Sequence, residues 1–202
     1  GARSASGIDH VHVIGAGTMG AEIAAWAALR AKRVTLEDVS LAPLGTAVQR
    51  AAILYERRHL SGIEARDALD RLMPDPDGLG RARADLVIEA APEKPGLKEE
   101  IYAGLTDRLK EGAILATNTS SLRLAGLVDA APDPARFAGL HFFNPVSKMP
   151  LVELVAHDSV APDVLDRLAG FVGELDRLPV RVQDYPGFVV NRVLAPYLLE
   201  AM

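Results

Sequence analysis

The stretch VIGAGTMG at residues 13–20 confines the fold more tightly than any other part of the chain. It sets Gly15, Gly17 and Gly20 in G-x-G-x-x-G spacing, after the strand-like run HVHVI (10–14) and at the opening of the Ala-rich, helix-like TMGAEIAAWAALRA (18–31). In that setting each glycine has its own reason. The first permits the tight turn, the second lets a pyrophosphate approach the backbone, and the third lets helix and strand pack closely. The anion then rests on unpaired N–H groups at the positive end of the helix dipole. Gly15, Gly17, Thr18, Met19 and Gly20 are therefore candidate cofactor-binding residues. The next strand pattern, RVTLED (33–38), ends in acid, the feature such a site needs about 20 residues on. Of its two carboxylates Asp38 comes last, and Glu37 faces the other side by strand alternation. A carboxylate accepts hydrogen bonds from ribose hydroxyls and repels a 2′-phosphate, and no Arg follows directly. Asp38 is thus the ribose candidate, and the cofactor is expected to be NAD rather than NADP.

Strand and helix patterns alternate through most of the 202 residues, as they do in a parallel sheet covered on both faces. The predicted class is α/β, a Rossmann-type doubly wound, mostly parallel sheet. Helices are predicted near 41–59 and 62–72, the second opened by Ser61 as N-cap with Glu64 three residues later. MPDPDGLG (73–80) reads as loop with room for a short strand, and ADLVIEAA (84–91) is the clearest buried strand. LKEEIYAGLTDRLKEG (97–112) reads as an amphipathic helix ended by Gly112. Then come strand 113–119, helix 121–131, strands 137–143 and 152–156, a helix near 161–176 and strand 179–184. A last apolar helix, 187–202, must bury its stripe, either on this domain or by leading into a second one. The expected organisation is a tag or linker over 1–8, an NAD-binding domain over 9–185, and over 186–202 the first helix toward a helical domain that the sequence lacks.

Composition narrows the partners. A net charge of −5 with no long basic run argues against nucleic acid, whose phosphates call for clustered Lys and Arg. The chain has no cysteine, so it holds no disulfide, thiolate nucleophile or Cys-ligated metal, and a reducing cytoplasm is the simplest home. No apolar run reaches the roughly 18 residues of a membrane span, and no His and carboxylate cluster has metal-ligand spacing.

GLHFFNPVSKMPLVEL (139–154) puts a histidine at the head of an apolar run and a glutamate twelve residues on. Taken alone, His141 reads first as a hydrogen-bonded core imidazole and Glu153 as a solvated edge residue. The dinucleotide turn supplies another reason for both. Removing hydride from an alcohol leaves a proton, which a neutral imidazole can take, and a carboxylate on the other ring nitrogen fixes the tautomer. Pro145 and Pro150 suggest a turn that folds the second strand back onto the first. NTSSL (118–122) lies at a strand's carboxyl end, where open α/β sheets place ligands, which makes Asn118 and Ser120 candidates. A hydroxyl at such a junction is as readily an N-cap.

VIGAGTMG, DLVIEAAPE, ATNTSSL, GLHFFNPV, PLVELV and DYPGFVVNR occur in an order and spacing that resemble the NAD-binding domain of L-3-hydroxyacyl-CoA dehydrogenases over about residues 9–202. The wording of FNPVSKMPLVE and the helical 55–75 region looks like the dehydrogenase part of multifunctional fatty-acid oxidation proteins. The resemblance implies oxidation of a (3S)-3-hydroxyacyl-CoA with NAD in β-oxidation, His141 being the base and Glu153 its partner. It implies that Ser120 and Asn191 hold substrate oxygens, that Asn144 organises the site, and that Glu93 and Lys98 lie beside the nicotinamide end of NAD. The family's C-terminal helical domain, which dimerises and covers the acyl-CoA, is largely absent from the sequence. The whole protein is therefore expected to form a dimer or a multienzyme complex through that domain. Arg57 or Arg58 is a candidate for the CoA phosphates. Two rival readings are an NAD-binding fragment without turnover, and an NAD dehydrogenase for a hydroxy acid lacking CoA.

Overall fold

Buried at all five positions, β1 (His10–Ile14) belongs inside a sheet covered on both faces. In the computed structural model, which describes residues 5–184, it lies between β2 (Arg33–Glu37) and β4 (Leu86–Glu89), parallel to both. Beyond β2 is β3 (Leu72–Pro74), the short strand in the predicted loop. Its Pro74 is tolerated because the strand is at an edge. On the other side follow β5 (Ile114–Thr117), β6 (Phe137–Phe142), β7 (Leu151–Ala156) and β8 (Leu178–Gln183). The strand order is β3-β2-β1-β4-β5-β6-β7-β8, parallel except where β6 meets β7. The chain is α/β, with a Rossmann-type, mostly parallel sheet.

Strand alternation divides the core in two. Val11, Val13, Leu86, Ile88, Ile114 and Ala116 face α1 (Thr18–Leu29), α2 (Leu41–Arg57), α3 (Gly62–Asp70) and α5 (Pro162–Glu174). Ile14, Val87, Leu115 and Phe137 face α4 (Pro95–Ala103) and the turns after β5. α1 is covered on nearly all sides. Its small alanines let α2 and α3 lie close across it, and the Trp26 indole N–H donates to the Leu175 carbonyl at 2.8 Å, joining α1 to the end of α5. Ser61 and Glu64 form the expected capping box at the start of α3. Residues 6–8, inside the stretch read as tag or linker, pack onto the domain. Ser6 donates to Glu174 through both N–H and hydroxyl, and Ile8 is fully buried.

Two predicted helices differ. The helix predicted over 97–112 spans only Pro95–Ala103; Gly104 caps it, and Asp107 then takes a left-handed φ of 59°, which turns the chain and buries Leu105. The helix predicted over 121–131 is two 3-10 turns, Leu124–Gly126 and Val128–Ala130. The Asp184 carboxylate accepts from the Leu124 and Ala125 N–H groups at 2.9 and 2.8 Å, a partner that holds these groups at the end of β8. The helix predicted over 187–202 and Asn191 lie outside the described residues.

Candidate active site

The sheet reverses direction of growth at β1, with β2 and β3 on one side and β4 to β6 on the other, and the crevice at such a switch point is where open α/β sheets bind ligands. A cleft of about 570 Å³ opens there, lined by the glycine turn, Asp38, the residues after β4 and β5, and His141 to Asn144. The turn is built as its glycines require. Gly15 has φ +99°, and a side chain on it would meet the Ala90 carbonyl at 2.8 Å. A Cβ on Gly20 would stand 1.8 Å from the Gly15 carbonyl oxygen, so α1 can begin this close to β1 only on glycine. Gly17, the N-cap of α1, has nothing within 4 Å of where its Cβ would be, an open approach to the helix N-terminus that suits a pyrophosphate.

Asp38 sits at the far end of the turn. Its carboxylate accepts from the Ala16 N–H at 2.8 Å and from the Ser40 N–H at 3.2 Å, which aims it into the cleft. Glu37 points away to the other face, where it accepts from His12 and Arg81. Burial works to raise the Glu37 carboxyl, but the His12 and Arg81 hydrogen bonds and the Arg81 charge outweigh it and hold it at about 2. The residues present thus fit a dinucleotide with free ribose hydroxyls.

His141 and Glu153 are directly opposed on the antiparallel strands β6 and β7, and the ring Nδ1 lies 2.8 Å from Glu153 Oε2. Glu153 is fully buried and His141 is 5% exposed, its ring tilted against Phe143 with centroids 4.3 Å apart. A carboxylate only accepts, so the proton is on Nδ1 and Nε2 is the basic nitrogen. Asn118 Oδ1 accepts from the Phe142 N–H at 2.9 Å, tying the end of β5 to the end of β6 where His141 lies. Glu93 bridges to the segment after β5, accepting from the Ser120 N–H at 2.6 Å, the Ser120 hydroxyl at 3.2 Å and the Thr119 hydroxyl at 2.9 Å. Burial pushes the Glu93 carboxyl up, but the Ser120 N–H, the Thr119 hydroxyl and the Lys98 cation prevail and hold it below the ordinary carboxylate range. No helix starts at Ser120. Thr119 Oγ1 accepts from the Leu122 N–H at 3.0 Å and closes a local turn there.

The NAD-binding domain of 3-hydroxyacyl-CoA dehydrogenases is matched by residues 10–185. The chain belongs to that family. Among solved members, FadB2 of M. tuberculosis is 37% identical, superposes with a TM-score of 0.92, and is matched over 96% of this chain and 70% of its own. The 3-hydroxybutyryl-CoA dehydrogenase of Escherichia coli K12 is 39% identical with a TM-score of 0.91, over 96% of this chain and 42% of its own. The dehydrogenase part of multifunctional enzyme 1 from C. elegans is 28% identical with a TM-score of 0.82, over 96% and 45%. The chain therefore spans less than half of two of these three. As a member of an NAD-dependent oxidoreductase family, it takes NAD as its cofactor.

Within this hydroxyacyl-CoA dehydrogenase frame one expected cofactor residue stands behind the cleft wall. Lys98 is 1% exposed and bonded to Glu89, 3.7 Å from Glu93, which lines the cleft. Glu89, Tyr102 and Thr117 form the rest of a buried polar cluster that the sequence reading missed. Its signal was present: an acid closes an otherwise apolar buried strand, and Lys98 and Tyr102 stand four apart on one face of α4. Pro95 opens α4 at a position whose N–H is unneeded. Among the described residues no group of His, Cys, Asp and Glu could hold a metal, and no helix is long and apolar enough to cross a membrane.

Proposed function

We propose that the chain is the catalytic, NAD-binding part of an enzyme that oxidises (3S)-3-hydroxyacyl-CoA to 3-ketoacyl-CoA in fatty-acid β-oxidation. The observation that carries this reading is the His141–Glu153 pair at 2.8 Å, its imidazole lining the same cleft as the glycine turn. Bound NAD supplies the hydride acceptor. His141 Nε2 takes the proton of the C3 hydroxyl, and the Glu153 carboxylate stabilises the imidazolium that results. Ser120, anchored through its N–H on Glu93, turns its hydroxyl to a substrate oxygen, Asn191 holds another, and Asn144 organises the loop after β6.

A second groove of about 440 Å³ runs between α1, α2 and the loop that carries Asn144, and Arg50, Arg57 and Lys148 line it. These cations suit the phosphates of CoA. Arg57 is preferred to Arg58, whose guanidinium stacks 4.6 Å above Trp26 and donates to the Ser147 carbonyl at 2.6 Å. The whole protein is proposed to act in the cytoplasm, as a dimer or multienzyme complex formed through a further domain.

The test uses the full-length protein with (3S)-3-hydroxybutyryl-CoA and NAD. His141→Gln is expected to lower kcat by ~10²–10⁴, about 3–5 kcal/mol, while NAD affinity stays within about twofold. Near-normal turnover excludes His141 as the base. Free CoA is expected to compete with the substrate; if it does not, a hydroxy acid without CoA is favoured.

A further inference from the structure

Along its 12 residues α1 carries a single ionisable side chain, Glu22, in a helix otherwise of alanines and other uncharged residues. One of its oxygens has a clear partner: Oε2 accepts from the Val146 N–H at 2.7 Å. Holding the loop after β6 is a weak reason for a carboxylate at this place, because that loop is held already. Arg177 donates to the Val146 carbonyl through Nε and Nη2 at 3.2 and 2.9 Å, and Arg58 donates to the Ser147 carbonyl at 2.6 Å. What the Val146 bond does is fix the direction of the carboxylate. Oε1 is left over, and among the described residues it accepts from nothing.

Glu22 lines the groove between α1, α2 and that loop, together with an apolar floor that includes Ala21, Ala25 and Leu54 and with the cations Arg50, Arg57 and Lys148. Among the described residues none of these four charged groups is in an ion pair. The groove therefore offers apolar surface, free cations and one fixed acceptor. Phosphates account for the cations and an acyl chain for the floor, but neither brings a donor to the acceptor. The pantetheine arm of CoA does, since it carries two amide N–H groups and a hydroxyl on a neutral, partly apolar chain. No residue lines both this groove and the cofactor cleft; the two meet at the consecutive residues Asn144 and Pro145. A thioester held at His141 thus keeps the amide nearest its sulfur in the cleft and sends the remote half of the arm past Pro145 toward Glu22.

We propose that Glu22 binds the pantetheine arm, accepting through Oε1 from the amide or hydroxyl remote from the thioester. The proposal rests on the acyl-CoA reading of the substrate and deepens it. Glu22→Gln isolates the contact. The one oxygen of the amide keeps the Val146 N–H and its NH2 group faces the groove, so the loop anchor survives while an acceptor becomes a donor.

The experiment measures kcat/KM at saturating NAD for the full-length protein and for Glu22→Gln, with (3S)-3-hydroxybutyrate carried as its CoA, pantetheine and N-acetylcysteamine thioesters. The last keeps only the amide nearest the sulfur. Glu22→Gln is expected to lose about tenfold on the CoA and pantetheine thioesters, chiefly through KM, and no more than about twofold on the N-acetylcysteamine thioester. Equal losses on all three mean that Glu22 acts through the Val146 loop, and overturn the proposal; so does the absence of any loss. A loss on the CoA thioester alone places the contact on the nucleotide and overturns it as well. Should Glu22→Gln not fold, the ratio of pantetheine to N-acetylcysteamine efficiencies is read in Glu22→Ala, where an unchanged ratio is the overturning result. An unsubstituted protein that turns over all three thioesters equally well would instead remove the acyl-CoA reading of the groove, and the proposal with it.

Discussion

Alanine at each of the three turn glycines should injure the protein in a different way, because the three positions are crowded by different things. At Gly20 the new methyl would stand 1.8 Å from the Gly15 carbonyl oxygen, a backbone atom that would have to retreat by more than an ångström. Overpacking of that kind costs about 3 kcal/mol, which in a domain this size lowers Tm by roughly 6–12 °C. At Gly17 nothing lies within 4 Å of where the Cβ would be and φ is −64°, so only the poorer N-cap counts and stability should fall by less than about 1 kcal/mol. The methyl would nevertheless occupy the approach of the pyrophosphate, and NAD should bind about tenfold more weakly or worse. Gly15, at φ +99° and with the Ala90 carbonyl 2.8 Å from where a Cβ would stand, should show both losses, with about 1–2 kcal/mol from the backbone conformation alone. Thermal melting and calorimetric titration with NAD on the three variants separate the effects. A Gly20→Ala protein of normal stability, or a Gly17→Ala protein of normal NAD affinity, refutes the reasoning.

Asp38→Ala should weaken NAD by about tenfold, because it removes both the ribose acceptor and the Ala16 N–H anchor, and should narrow the preference over NADP; unchanged affinity ratios for the two cofactors would exclude Asp38 as the ribose residue. Glu37 should shape the acid limb of stability: its carboxyl is held at about 2 against an ordinary 4.5, so the His12 and Arg81 bonds contribute fully above 4.5 and are lost as pH falls toward 2. The urea midpoint should drop over that window and drop less steeply in Glu37→Gln; identical slopes would show that Glu37 is not the group responsible.

How far the sequence was legible follows from the distance over which each feature is decided. The glycine turn and the Ser61–Glu64 cap are settled within a few residues, and both stand as read. His141 and Glu153 are only twelve apart, joined by one proline-marked turn, so their meeting across β6 and β7 was within reach of local reasoning. The 121–131 segment was not, because the carboxylate that captures its N–H groups, Asp184, comes some 60 residues later. The end of α4 depended on whether residues 104–107 would turn, and Asp107 in a left-handed conformation gave no periodic signal. Lys98 was placed by family resemblance on the cleft side. In the structure it is one of four donors that meet at Glu89 behind the cleft wall, a cluster that draws on β4, α4 and β5 together.

The most direct measurement is a crystal structure of this protein with NAD bound, read for the distance between His141 Nε2 and the nicotinamide C4. A separation of roughly 4–6 Å, with space between them for the carbon that loses hydride and its hydroxyl, is the expected result. A nicotinamide ring lying on the far side of the cleft, or an imidazole whose Nε2 turns away from it, contradicts the assignment of His141 as the base.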